Sequence, residues 1–242
     1  MELTFAQTYE VHDNIVDRYG RLRPAALLYL AQEMAGKHCD ILGLTQETMA
    51  SKGLFWAVSR HKVRINRLPR SGEKILLQTW PMPTTRVAYP RALEARDEAG
   101  CVLFQVTSLW VLMDRNTRAM VLPGKSDVEV PGILQGGELA SPLGLPAKEL
   151  PETGHRQVCF TDLDCNGHMN NTRYLDWVYD LLPSEFYREH SLEEMTVCYL
   201  AEALEHQMLD LNRGFLEENV FQVDIHREDH RIFSAKMKFR WE

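Results

Sequence analysis

The 242-residue sequence has no run of about eighteen consecutive apolar residues, so it predicts no transmembrane helix. It also has no excess of positive charge. The net charge of −7 argues against nucleic acid or an anionic membrane surface as the main partner. The N-terminus lacks the basic start and apolar stretch of a secretory signal. Its five cysteines are odd in number and never spaced as Cys-x-x-Cys, which excludes a zinc pattern and a disulfide framework. We therefore expect a cytoplasmic globular protein without a metal or cofactor.

The first half of the chain predicts one helix among β-strands. Apolar residues recur at helical spacing after Arg23-Pro24, and Gly43 marks the end of that helix. Alternating patterns predict five strands: Phe5–His12, Leu54–Ile65, Lys74–Trp80, Tyr89–Arg96 and Val102–Met113. Because residues 97–100 form a typical hairpin turn, we expect the last two strands to be antiparallel.

The second half repeats this pattern after a linker. Residues 122–154 are rich in proline and glycine and have no clear periodicity. A helix is expected from Asn171 to about Leu182. The predicted strands are Arg156–Phe160, Glu194–Leu204, His206–Arg213, Val220–Arg227 and Ile232–Trp241, with turns at 212–214 and 228–230. We expect two domains, residues 1–121 and 155–242.

Both halves follow the order strand, helix, four strands, which indicates an internal duplication. A short echo supports it, because Asp17 and Asp162 precede Tyr29-Leu30 and Tyr174-Leu175 at the same spacing. The expected architecture is α+β, with two antiparallel sheets that each wrap a central helix. Such a chain pairs its halves internally, so a monomer and a homodimer are both open.

The densest group of chemically useful side chains lies in one ten-residue stretch. It contains Asp162, Asp164, Cys165, Asn166, His168, Asn170 and Asn171. If the chain before Asn166 is extended, Asp164 and Asn166 share one face and Cys165 takes the other. The Asn166-Gly167 turn would then bring His168 back to the face of Asp164.

A helix is expected directly after this stretch. Asn170 or Asn171 would cap it, and its first N–H groups would form an oxyanion site beside His168. A polar loop in front of a capped helix, without any chemistry, is the alternative interpretation.

Together with Tyr174, Trp177 and the segment Tyr199-Leu200-Ala201-Glu202, the Asp162–Asn171 stretch resembles the acyl-acyl carrier protein thioesterases of plastids and their bacterial relatives. The likeness extends to the first half through residues 56–60, 72–80 and 108–114. It implies a tandem hotdog fold and hydrolysis of fatty acyl thioesters of acyl carrier protein, which releases free fatty acid. No plastid transit segment precedes Met1, and we therefore expect a bacterial form.

The resemblance places the family's catalytic residues at Asp164, Asn166, His168 and Glu202. Two positions depart from the family pattern. Many plastid members have a cysteine where this chain has Ala203, so that position offers no cysteine mechanism here. Cys165 stands where the family usually has an aliphatic residue. Strand alternation predicts that the Cys165 thiol faces away from Asp164 as a buried, unreactive side chain.

Thioester hydrolysis requires an activated water or a protein nucleophile. Glu202 is expected within a strand on its apolar side, where burial would suit a general base. Asp164 either orients His168 and Glu202 or attacks the carbonyl itself, and both roles stay open. Asn166 would orient the carbonyl or the water, and His168 would position the water or protonate the leaving sulfur. The ordinary alternatives are an exposed glutamate near a strand end, a turn asparagine and a structural histidine.

Further residues are candidates for binding the substrate. Those expected to contact it are Asn170, Asn171, Trp56, Leu27 and Tyr29, although the apolar ones also suit a plain core. Arg60, Lys62 and Arg64 form a basic stripe at strand spacing. The stripe is either a docking surface for acyl carrier protein, which is acidic, or a solvated sheet face.

Three other functions that occur on this fold are alternatives to hydrolysis of acyl carrier protein thioesters. A hydrolase of acyl-CoA uses the same chemistry on a different carrier. A non-catalytic acyl-thioester binding module would not need Asp164, Asn166, His168 and Glu202 together. A dehydratase fits this set less well than a hydrolase does.

Overall fold

The computed structural model describes residues 2–242. The chain divides into two compact units, and the division falls between Pro142 and Leu143. Among the described residues, no helix is long and apolar enough to cross a membrane.

In the first unit, one long helix lies against a five-stranded antiparallel sheet. The helix α1 (Pro24–Ile41) has proline at its first turn and buries one face, and Gly43 follows its end with φ +75°. The strands are β1 (Phe5–Glu10), β2 (Leu54–Ile65), β3 (Lys74–Pro81), β4 (Tyr89–Arg96) and β5 (Val102–Asp114). Their spatial order is β1-β3-β4-β5-β2. The predicted elements of this half are therefore confirmed to within a few residues.

Two short elements of the first unit were not predicted. The helix α2 (Gln46–Ser51) is capped by the Thr45 hydroxyl, which accepts the N–H of Thr48 at 3.1 Å. The strand β6 (Met120–Val121) pairs with the end of β5. Both are too short to produce a readable period.

The interior of the first unit contains a row of buried polar groups. Arg91 and His61 flank Ser108 in register on neighbouring strands, and His61 Nδ1 lies 2.8 Å from Ser108 Oγ. Arg91 Nη1 lies 3.0 Å from His38 Nδ1 on α1 and 3.3 Å from Thr79 Oγ1. A guanidinium only donates hydrogen bonds, so His38 Nδ1 accepts and the imidazole is neutral. Burial lowers the pKa of His38 accordingly.

The predicted linker forms no helix or strand between β6 and β7, but part of it packs closely. Leu139 is buried, and its carbonyl accepts the Thr107 hydroxyl at 2.9 Å in the first unit. In the second unit, Gln222 donates to the carbonyl of Pro146 at 3.2 Å. These contacts hold the segment against the two sheets, which sequence periodicity does not predict.

The second unit repeats the sheet order of the first. Its strands are β7 (Glu152–Gln157), β8 (His190–Tyr199), β9 (Met208–Glu217), β10 (Val220–Arg227) and β11 (His230–Trp241). They lie in the order β7-β9-β10-β11-β8. Two short helices, α3 (Arg173–Tyr179) and α4 (Ser184–Glu189), precede β8. Tyr174 of α3 stacks on Phe233 of β11, with ring centroids 4.7 Å apart, so α3 lies against this sheet.

Several predicted boundaries in the second unit are wrong. The helix expected from Asn171 to Leu182 ends at Tyr179, and α4 was not predicted. The strand expected at Arg156–Phe160 lies earlier, because Phe160 opens a 3₁₀ turn. The turn expected at 212–214 is the middle of β9. A Cβ on Gly214 would come within 2.5 Å of the Pro151 ring, so this glycine permits close packing and not a turn.

The internal duplication is present, but its register differs from the sequence echo. A bridge between Val16 and Leu22 encloses Asp17 in the first unit, and a bridge between Leu163 and Met169 encloses Asp164 in the second. Asp17 therefore corresponds to Asp164 and not to Asp162.

Candidate active site

The centre of the candidate site is a tight turn that begins at Asp164. Its Oδ1 accepts the backbone N–H groups of Asn166 at 2.8 Å and of His168 at 3.2 Å. Gly167 has φ +79°, a conformation that side-chain-bearing residues rarely adopt. Because the chain turns here and is not extended, strand alternation does not apply. Cys165 consequently lies exposed at the tip of the turn, and the prediction that it is buried is wrong.

The turn brings His168 next to Glu202, 34 residues further along the chain. His168 Nε2 and Glu202 Oε2 are 3.5 Å apart. The backbone holds this arrangement, since the N–H of Met169 donates to the carbonyl of Ala203 at 2.9 Å. The separation is longer than a hydrogen bond, as is common for catalytic pairs without substrate. Both side chains remain accessible to a substrate, with 24% of His168 and 49% of Glu202 exposed.

The surroundings of Glu202 differ from the prediction. It was expected on the buried side of a strand, but β8 ends at Tyr199. The N–H groups of Leu200 and Ala201 both point to the carbonyl of Ile232, at 2.8 and 3.1 Å, which breaks the alternation. Glu202 therefore lies in a loop and reaches solvent. Any role as a base rests on its contact with His168 and not on burial.

The start of α3 does not provide the expected oxyanion site. Asn170 Oδ1 accepts the N–H of Thr172 at 2.9 Å, and the Asn170 carbonyl accepts the N–H of Arg173 at 2.9 Å. The helix has seven residues, and these first N–H groups are already used within the chain. The carbonyl of Asn171 accepts the Tyr199 hydroxyl at 3.0 Å. Asn170 and Asn171 thus hold the start of the helix in place.

Two residues support the site in a way that was not predicted. Arg227 Nη1 donates to the backbone carbonyl of Glu202 at 3.0 Å and holds that loop. Asp162 is buried; its carboxylate accepts the N–H of Cys159 at 3.0 Å and the indole N–H of Trp177 at 3.2 Å. Asp162 thereby ties the beginning of the turn to α3. The partners lie far apart in sequence, and no local pattern connects them.

Tyr174 also belongs to this supporting group. Its side chain is buried below the loop of Glu202, and burial raises the pKa of its hydroxyl well above the usual value. The hydroxyl therefore stays protonated, which excludes it as a base.

The predicted binding residues of the first unit lie in different environments. Leu27 is fully buried, whereas Tyr29 is 53% exposed. Tyr29 therefore does not line the interior of this unit. Trp56 is half-buried, and its ring packs edge-on against Tyr89 at 4.9 Å.

The basic stripe lies on the outer face of β2. Arg60, Lys62 and Arg64 alternate with the buried residues His61 and Val63, which face the interior. Arg64 is exposed and the other two are half-buried. The stripe is therefore accessible as a surface of the first unit.

Within residues 2–242, no group of three or more histidine, cysteine, aspartate or glutamate side chains is placed to hold a metal ion. The side chains that meet at this site are carboxylates, an imidazole and an amide.

Comparison with known proteins identifies the family of this chain. The model of the acyl-ACP thioesterase N-terminal domain matches residues 2–123, and that of the C-terminal domain matches residues 147–241. The chain is 26% identical over 215 residues to the palmitoyl-acyl carrier protein thioesterase of Gossypium hirsutum, covering 83% of this chain and 52% of that one. It thus spans about half the length of the curated relatives it matches.

Solved structures cover the whole chain. The acyl-ACP thioesterase of Bacteroides thetaiotaomicron is 25% identical with a TM-score of 0.87, covering 98% of both chains. The 12:0-ACP thioesterase of Umbellularia californica, at 21% identity and a TM-score of 0.83, covers 100% of this chain and 99% of that one. The expected tandem hotdog fold is confirmed by these neighbours. Both halves match, and the chain belongs to the acyl-ACP thioesterase family.

Proposed function

We propose that this protein hydrolyses fatty acyl thioesters of acyl carrier protein and releases free fatty acid and the thiol form of the carrier. The observation that carries the proposal is the 3.5 Å contact of His168 Nε2 with Glu202 Oε2 beside the Asp164 turn. A carboxylate next to an imidazole, both open to solvent, can move a proton between water and a leaving group.

In the proposed reaction, the Glu202 carboxylate removes a proton from a water molecule, and the resulting hydroxide adds to the thioester carbonyl carbon. The proton passes from Glu202 to His168 Nε2. When the tetrahedral intermediate collapses, the carbon–sulfur bond breaks, and its electron pair leaves with sulfur. His168 then protonates the sulfur. The Asn166 amide, exposed on the same turn, orients the carbonyl.

The test uses acyl carrier thioesters of several chain lengths together with the matching acyl-CoA esters. We expect hydrolysis with a higher kcat/KM on the carrier. Glu202→Gln and His168→Ala should each lower kcat by about 10²–10⁴-fold, the usual contribution of a general acid or base, with unchanged circular dichroism. Equal rates on both carriers would favour an acyl-CoA hydrolase. Variants as active as the wild type would refute the proposed site.

The basic stripe provides the proposed contact with the carrier. Arg60, Lys62 and Arg64 lie on one accessible face of a protein whose net charge is −7, so an acidic partner would be attracted locally. The variant Arg60→Glu/Arg64→Glu should raise KM for carrier-bound substrate and leave short non-carrier thioesters unaffected. Exposed Lys74 on β3 supplies a control for charge reversal, as Lys74→Glu. Equal effects on both kinds of substrate would contradict docking at this face.

A further inference from the structure

The carboxylate of Asp164 is occupied by its own turn. Oδ1 accepts two backbone N–H groups, those of Asn166 and His168, and Oδ2 lies 3.3 Å from the side-chain Nδ2 of Asn166. In addition, the N–H of Asp164 donates to the carbonyl of His168 at 2.8 Å. The N–H of Gly167 donates to the carbonyl of Asp164 at 3.1 Å. An ionised carboxylate has about four lone-pair sites, and three of them are directed at donors within this turn, so the turn fixes the orientation of the group and leaves about one site for attack on a substrate.

The first unit contains the same turn around Asp17. Its Oδ1 accepts the backbone N–H groups of Tyr19 at 2.8 Å and of Arg21 at 3.0 Å. The N–H of Asp17 donates to the carbonyl of Arg21 at 2.7 Å, and the N–H of Gly20 donates to that of Asp17 at 2.9 Å. Gly20 has φ +75°, close to the +79° of Gly167. Asp17 thus makes the same backbone hydrogen bonds as Asp164.

The turn around Asp17 lacks the groups that would perform hydrolysis. Tyr19 stands at the position of Asn166, and Arg21 stands at that of His168. The N–H of Leu22 donates to the carbonyl of Pro69, and the N–H of Met169 donates to the carbonyl of Ala203. Pro69 therefore corresponds to Ala203, and the residue before it, Leu68, corresponds to Glu202. Asp17 is therefore present in a turn that has no chemical counterpart of Asn166, His168 or Glu202. What the two aspartates share is the shape of the backbone that they hold.

We infer that Asp164 is a positioning residue, which acts through the main chain of Asn166 and His168 and is neither the nucleophile nor the base. This inference rests on the proposed function for its kinetic consequences. It assigns attack to water activated at Glu202, and it requires no covalent acyl-enzyme.

The experiment compares Asp164→Asn with Asp164→Ala, using Asp17→Asn and Asp17→Ala as matched controls in the other copy of the turn. Asparagine keeps an acceptor oxygen and favours the same turn. We therefore expect Asp164→Asn to lower kcat by at most about tenfold and to keep the acid limb of the pH profile. Asp164→Ala should lower kcat by about 100-fold, as misplaced catalytic groups do. The Asp17 variants should lower Tm and leave kcat unchanged.

A loss of about 10⁴-fold or more in a folded Asp164→Asn protein, equal to that of alanine, would overturn the inference, because only a reacting carboxylate would fail in this way. Amide hydrogen exchange of residues 163–169 gives a second readout that needs no activity. Protection of the Asn166 and His168 amides should persist with asparagine and be lost with alanine. Unchanged protection in Asp164→Ala would also overturn the inference. Absence of hydrolysis by the wild type would instead refute the proposed function, and the exchange result would still decide the role of Asp164.

Discussion

Replacing His61 by glutamine should make the protein more resistant to acid. His61 lies on β2 in the interior of the first unit, fully buried, with Nδ1 2.8 Å from Ser108 Oγ. Burial lowers its pKa to about 3. The folded protein therefore holds a neutral imidazole, whereas the unfolded chain binds a proton near pH 6.5. The stability that depends on this difference is fully present above pH 6.5 and is lost as the pH falls toward 3.

The size of the effect follows from the two pKa values. At pH 5, the unfolded chain gains about 2 kcal/mol from protonating His61, while the folded state stays neutral there. Glutamine retains a hydrogen-bonding partner for Ser108 and does not titrate. The fall in the free energy of unfolding between pH 7.5 and pH 5 should thus be about 2 kcal/mol smaller in His61→Gln than in the wild type. Burial also lowers the pKa of His38, which acts in the same direction in both proteins and cancels in the comparison.

The assay is urea unfolding followed by tryptophan fluorescence at both pH values. His12 is exposed and supplies the control, since His12→Gln should leave the pH dependence of the wild type unchanged. Parallel pH dependences in His61→Gln and the wild type would refute the assignment of a buried neutral imidazole to the folded state.

Three further predictions concern residues around the candidate site. Arg227→Met removes the donor to the Glu202 carbonyl and should lower kcat by about tenfold. Arg227→Gln keeps a side-chain donor and should lower kcat by less. An unchanged kcat in both variants would exclude a positioning role. Cys165→Ser should leave kcat unchanged because the thiol is exposed at the tip of the turn, and an inactive folded variant would contradict a mechanism based on Glu202. Asp162→Ala leaves two donors, one of them on Trp177, without their acceptor and should cost about 2–4 kcal/mol of stability, measured by urea unfolding. A loss below about 1 kcal/mol would show that water replaces the carboxylate.

Secondary structure was predicted best where an element is long and its period is complete. The helix after Pro24 and the strands Tyr89–Arg96 and Val220–Arg227 were predicted with nearly correct ends. The helix repeats its apolar spacing over several turns, and the two strands are long runs, buried on both faces for most of their length, that end at turns. The region of the active site was predicted less well. There the elements are short, and tight turns and loops replace the regular alternation that the prediction assumed, as Cys165 and Glu202 both show.

The amino-acid sequence determined the family and the repeated order of elements, and it predicted the set Asp164, Asn166, His168 and Glu202, because motif identity and hydrophobic period are local properties. Only the tertiary structure decided that His168 and Glu202 meet, since residues 34 positions apart are joined by backbone pairing and not by spacing. It also decided which aspartate of the first unit corresponds to Asp164. The two turns correspond because each aspartate accepts the same pair of backbone N–H groups. The other side chains of the two turns differ, so their sequences do not reveal the correspondence.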